Sequence, residues 1–240
     1  MKPTLILLTL LLTACSAALP TPALPATPLI WQVQGTASLG WLNPALQACA
    51  LKQPEVNLVY LQRPAPLLDL NAARIALRWG APASLTTPAV LLGEDELIFI
   101  AHPGNPITQL SVTELLNLLN GKIASWEKLS PTASKEPLKV FTYAAGEDIQ
   151  QVLEAALPGL QVNRETGWLA PDPASARQAV AESPAAFSYI PKRWLNATVK
   201  AVTITDLTPA RLRQPLLAIT ASQPGEAETI FLQCLSEAAR

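Results

Sequence analysis

The chain has 240 residues, with 17 basic and 18 acidic side chains and a formal net charge of −1. Charge this sparse and balanced provides no basic face for nucleic acid or for an anionic membrane surface, and neither is expected as a partner. One histidine and three cysteines are too few for a clustered metal site, and neither a metal nor an organic cofactor is implied.

The N-terminus carries a single basic side chain, Lys2, followed by an almost wholly apolar run over 5–12. About ten apolar residues is roughly half of what spans a bilayer, which suits the core of a signal peptide rather than a permanent anchor. The run ends in Leu12-Thr13-Ala14-Cys15, which resembles the bacterial lipobox, where cleavage before the cysteine follows acylation of its sulfur. A signal peptide over 1–14 and a lipidated Cys15 are expected, and with them an extracytoplasmic protein held at the cell membrane. The alternatives are an ordinary signal with a chance cysteine, or a buried N-terminal helix. Residues 16–28 are mostly Ala, Pro, Thr and Leu, with prolines at 20, 22, 25 and 28. Such a stretch supports neither helix nor sheet and reads as a semi-extended tether, so that 15–28 form anchor and spacer.

The body, 29–240, is long enough for one large domain or two small lobes. Residues 29–34 alternate as a strand and run into a loop of small residues at 35–40. Asn43-Pro44 reads as the cap and first residue of a helix reaching about Leu51. Strands are expected at 57–61 and 74–79, then as a pair at 89–92 and 96–101 around a Gly-Glu-Asp turn. Ser111 and Glu114 form a capping box for a Leu-rich helix that Asn120-Gly121 stops. A strand at 138–143 and Gly146 precede a helix with Ile149, Val152, Leu153, Ala156 and Leu157 on one face. Asp172-Pro173 opens another helix, 186–190 and 200–205 read as strands, and 225–239 as the closing helix. Strands alternating with helices point to an α/β body with largely parallel pairing. No later run is long and apolar enough to span a membrane.

With Cys15 lipidated, Cys49 and Cys234 remain. An even pair in an oxidising compartment favours a disulfide, two separate buried thiols being the alternative. Closing nearly the whole body, such a bridge would contribute at most roughly 5 kcal/mol by chain entropy. The six tryptophans, at 31, 41, 79, 126, 168 and 194, stand near element ends. Ordinary packing suits them better than lining a cleft. A hydrolase has little support: His102 lies in a Pro-rich segment, and there is no Gly-x-Ser-x-Gly.

Residues 97–129 carry Ile-Ala-His-Pro-Gly-Asn-Pro-Ile, then the capped helix, then Gly-Lys-Ile-Ala-Ser-Trp. This pattern resembles the substrate-binding proteins of phosphate-type ABC importers. The Gly-Lys-Ile-x-x-Trp portion is the more specific part, and the order of elements at 31–40, 139–157 and 184–190 agrees with it. The resemblance implies an α/β fold of the type 2 periplasmic-binding kind: two lobes, two crossings and a ligand cleft between. The crossings would lie at 101–106 and 190–200. Lobe 1 would be 29–102 plus 200–240, and lobe 2 would be 103–199. It further implies a non-enzymatic monomer that takes a small-molecule or ion ligand and hands it to an ABC permease. The first and last helices would then share a lobe, which strengthens the Cys49–Cys234 pairing.

In that family an anion is held by the first loop, by an arginine, and by Ser-Gly-Thr at a helix N-terminus. Here Thr36 and Ser38 keep two hydroxyls. Arg78 and Trp79 stand where small hydroxyl residues are usual, and Arg78 reads as an anion ligand or, more simply, as a solvated strand-end residue. Tyr143 replaces the family's arginine. After Gly146, Glu147-Asp148-Ile149 replaces Ser-Gly-Thr. Carboxylates complement the positive end of a helix but oppose a bound oxyanion. At about 5 Å and an effective dielectric near 20, each such contact costs roughly 3 kcal/mol. Phosphate is therefore disfavoured. Glu147 and Asp148 are otherwise read as good first-turn helix residues. A relative that has lost ligand binding, serving as a sensor or structural surface protein, is the alternative.

Overall fold

The computed structural model describes residues 29–161 and 167–240. The expected signal peptide, lipidated Cys15 and tether lie outside the described residues. The first half contains β1 (Leu29–Gly35), a 3-10 turn (Ala37–Leu42), α1 (Asn43–Ala50), β2 (Val56–Gln62), β3 (Ile75–Trp79) and β4 (Ala89–Ala101). There follow β5 (Gln109–Leu110), α2 (Val112–Leu119), β6 (Lys139–Thr142), α3 (Asp148–Ala156), β7 (Trp168–Leu169), α4 (Pro173–Glu182) and β8 (Ala186–Pro191). The chain closes with β9 (Lys200–Ile204), β10 (Arg213–Thr220) and α5 (Glu226–Ala238).

Strand order is β2-β1-β3-β10-β4-β8-β6-β7, with β9 beside β4 and β5 beside β9. The α/β expectation is met, but the pairing is mixed rather than largely parallel. β1 with β2 and β3, β6 with β7 and β8, and β5 with β9 are parallel. β10 and β4 run antiparallel to their partners.

β10 has no counterpart among the expected elements. Leu216-Leu217-Ala218-Ile219 does not alternate, because both faces are covered: all four residues are buried. The expected hairpin at 93–95 is likewise absent, and β4 runs straight through it as one strand of 13 residues. Gly93 is there for contact, since a Cβ would stand 3.0 Å from the Ala239 carbonyl oxygen at the end of α5.

β4 joins two halves of the sheet. Its residues 89–96 pair with β10, and 97–101 with β8. The changeover thus falls inside a strand, ahead of the expected crossing at 101–106. β9, which begins at Lys200, pairs with β5 and with residues 99–101 of β4.

Local signals explain most helices. Ser111 Oγ accepts the Glu114 N–H at 3.2 Å, and Glu114 accepts the Ser111 N–H at 2.8 Å, so α2 starts on the expected capping box. Gly121, at φ +73°, turns the chain out of it. Trp126, the last residue of Gly-Lys-Ile-x-x-Trp, is fully buried edge-on against Phe187 at 5.6 Å. Asp172 caps α4 by accepting the Ser175 N–H at 2.7 Å. In α1, Asn43 is inside the helix and Leu42 is the cap, one residue earlier than expected.

Cys49 and Cys234 form a disulfide, with Cα atoms 5.8 Å apart, that ties α1 to α5. Trp31, Trp79 and Trp126 are core residues, whereas Trp168 is exposed. No helix among the described residues is long and apolar enough to cross a membrane.

Candidate functional site

One wall of the cleft comes from the ends of β1 and β3. β1 delivers Thr36 and Ser38, both buried, into the 3-10 turn that follows. Gly35 leaves room for Tyr60 there, since a Cβ would stand 2.5 Å from its hydroxyl. The Thr36 N–H bonds the Leu77 carbonyl at 3.2 Å, which sets the turn against β3. β3 ends in Arg78-Trp79, and Gly80, at φ +75°, takes the chain away with its N–H on the Pro215 carbonyl. The Trp79 indole is buried and donates to the Gln214 carbonyl at 3.2 Å, so its backbone N–H is what faces the cleft.

The opposite wall is the N-terminus of α3. Gly146, at φ +88°, makes the turn before it and packs so closely that a Cβ would lie 2.8 Å from Pro66 Cγ. Glu147 is the cap residue and Asp148 the first helical residue. The Asp148 carboxylate crosses the cleft. Its Oδ2 accepts the Thr36 hydroxyl at 2.5 Å, the Ser38 hydroxyl at 2.7 Å and the Trp79 N–H at 3.1 Å. Its Oδ1 accepts the N–H of Ile149 at 2.7 Å. Asp148 is 1% exposed. Hydrogen bonds to a buried ion are the stronger class, about 1.5–3 kcal/mol each.

Around this centre, Arg78 Nη2 donates to Gln151 Oε1 at 3.0 Å, while its Nε has no partner. The expectation of a solvated Arg78 is therefore corrected. Gln151, one turn along α3, is its hydrogen-bond partner, and Arg78 is only 8% exposed. Burial lowers its pKa and the Asp148 charge raises it. The Tyr60 hydroxyl is also buried and unpartnered. Desolvation, and then the charge of Asp148, push it up to about 12. Glu147 accepts the Ala65 N–H at 3.4 Å, and burial raises its pKa.

Thr36, Ser38, Arg78, Trp79, Gly146, Glu147 and Asp148 are thus brought together. Tyr143 is not part of the cluster: its hydroxyl donates to the Tyr189 carbonyl at 3.0 Å, and its ring meets Tyr189 at 5.3 Å. Burial raises the pKa of both tyrosines. Beside them lies a cavity of about 180 Å³, bordered by Tyr143, Ala145, Gln150 and Leu169.

Asp148 is more than the first-turn residue its sequence context suggests. A carboxylate at that position already has a local explanation, so its bonds to residues 110 and 112 positions away leave no trace in the sequence. Gln151, Tyr60 and Trp194, whose indole N–H donates to the Ser38 carbonyl at 2.8 Å, were not anticipated either. Among the described residues no group of three or more His, Cys, Asp or Glu is placed to hold a metal ion.

This two-walled α/β cleft, with donors on one side and a helix N-terminus on the other, is the architecture of the type 2 periplasmic-binding fold. Solved structures bear this out. A phosphate ABC transporter substrate-binding protein from Clostridium perfringens, with bound phosphate, superposes with a TM-score of 0.73 at 18% identity, over 86% of this chain and 92% of that one. An ABC-type phosphate transport receptor from Vibrio cholerae gives 0.64 at 18% identity, over 86% and 93%. The CcmR regulatory domain of Synechocystis, in complex with 2-PG, gives 0.63 at 12% identity, over 88% and 97%. The chain has the fold these proteins share, a fold that serves transport and regulation alike. No protein-family model matches the chain, and no curated protein is similar to it.

Proposed function

We propose that the protein is a lipid-anchored, extracytoplasmic solute-binding protein of the ABC-importer kind, and that free phosphate is not its ligand. The fold and the lipobox-like Leu12-Thr13-Ala14-Cys15 support the first part, together with the disulfide, which suits an oxidising compartment. The exclusion of phosphate rests on one observation: Asp148 occupies the donors of Thr36, Ser38 and Trp79. An oxyanion entering beside that charge meets a penalty of roughly 3 kcal/mol, over a hundredfold in affinity. The same carboxylate favours a second reading, in which the binding frame persists without transport as a sensor or surface protein. The solved structures it resembles are binding and regulatory proteins, and we assign the site no catalytic role.

A thermal-shift screen of the mature protein against phosphate, sulfate, sugars and amino acids tests this. A ligand at a hundred times its Kd should add about 2.7 kcal/mol of stability. A response to a sugar or an amino acid, and none to phosphate, is expected of the importer reading. Silence towards every solute would favour the second reading, and micromolar phosphate binding would overturn the exclusion. Mass spectrometry should find acyl chains on Cys15; an unmodified cysteine would remove the anchor.

A further inference from the structure

The first wall contains more donor capacity than one carboxylate oxygen uses. Thr36, Ser38 and the Trp79 N–H converge on Asp148 Oδ2, while the buried Arg78 Nε and Tyr60 hydroxyl beside them have no partner. A compact set of hydroxyls, a backbone N–H and a guanidinium suits an anion with several oxygens. Asp148 reaches it from α3, a helix of nine residues whose Ile149 N–H donates to the other carboxylate oxygen, Oδ1, at 2.7 Å.

We propose that Asp148 is an intramolecular ligand: it fills a latent site for a tetrahedral oxyanion and so holds the cleft closed without any solute. The proposal rests on the reading that free phosphate does not bind, and adds which residue excludes it and what the site takes once that residue is gone. Closure needs an anion to satisfy the donors of both walls. Here the second wall supplies that anion covalently, with Arg78–Gln151 and Ala65–Glu147 as flanking contacts. Replacing the side chain at 148 by hydrogen leaves Thr36, Ser38, the Trp79 N–H and the end of α3 facing a space the size of the lost group. Sulfate, phosphate or formate can then enter it.

The test uses Asp148→Gly and Asp148→Ser in the full mature protein, each followed by thermal shift and by amide hydrogen exchange at α3. Sulfate, phosphate and formate are compared with chloride at equal ionic strength. Without an oxyanion, both variants should melt below the wild type and exchange faster at the start of α3. Sulfate or phosphate should raise the melting temperature and restore protection, with formate acting at higher concentration and the wild type unmoved. Adding Thr36→Val to either variant should weaken the oxyanion response at least tenfold. Folded variants that ignore oxyanions, or respond equally to chloride, would overturn the proposal. If neither variant folds, Thr36→Val with Ser38→Ala in the wild-type background decides: faster exchange at α3 supports the latch, and unchanged protection sinks it. Phosphate binding by the wild type itself would instead count against the proposed function, so the two failures are separable.

Discussion

The two walls of the cleft are built for the same place but have opposite chemistry. The wall from β1 and β3 offers hydroxyls, a peptide N–H and a guanidinium. The wall from α3 begins with two carboxylates, one of which lies inside the donor set of the other wall. A site that reads as half preserved and half lost is, in space, one complete set of interactions made within a single chain. Specificity here therefore turns on the residue at 148 more than on the donor loop. The same donors can serve a solute or a side chain.

The largest expected effect tests whether the first wall has a rigid base independent of the cleft. Replacing Cys49 and Cys234 by serine should cost up to about 5 kcal/mol in chemical denaturation, because the bridge closes a loop of nearly the whole body. In the Asp148→Gly background the oxyanion response should survive the serine replacements, since the bridge joins α1 to α5 and none of the donors. Next, Asp148→Ala should cost about 3 kcal/mol: it removes the shared acceptor of three buried donors, and although one hydroxyl can turn to the other at 2.9 Å, two donors are left without an acceptor. Thr36→Val should cost about 1.5 kcal/mol, one charge-assisted hydrogen bond. Equal losses for the two substitutions would contradict the view that Asp148 is the shared acceptor.

A smaller effect concerns alkaline pH. Tyr60 is pushed up to about 12, by burial and then by Asp148. The folded state therefore holds that proton more tightly than the unfolded state, whose tyrosine ionises near 10. The resulting stability is complete below pH 10 and is lost as pH rises from about 10 to about 12. Tyrosinate absorbance should show this titration moving downward in Asp148→Asn, while staying above 10 because burial remains. No movement would separate Tyr60 from the carboxylate.

Much of the frame was legible because its signals are local. The Ser111–Glu114 box, the Gly121 stop and the buried stripe of α3 lie within a few residues of what they determine. β10 was not legible, since a strand covered on both faces does not alternate. Nor was the unbroken β4, where Gly93 reads as a turn but serves contact with α5. At the site, Thr36, Ser38 and Asp148 were all named as candidates, but not the bonds between them. Local sequence makes Asp148 look satisfied by its own helix, and only the packing of α3 against β3 exposes its longer-range role. Arg78 was misjudged for a related reason, because its hydrogen-bond partner, Gln151, lies in the distant α3.

The central claim is that the donors of Thr36, Ser38 and Trp79 form an oxyanion site with Asp148 in the ligand's place. It is tested most directly by crystals of Asp148→Gly soaked in selenate and examined by anomalous scattering. The expected result is a selenium peak within hydrogen-bonding reach of Thr36 Oγ1, Ser38 Oγ and the Trp79 N–H, absent from wild-type crystals treated alike. An empty site in an otherwise intact variant, or the same peak in the wild type, would contradict it.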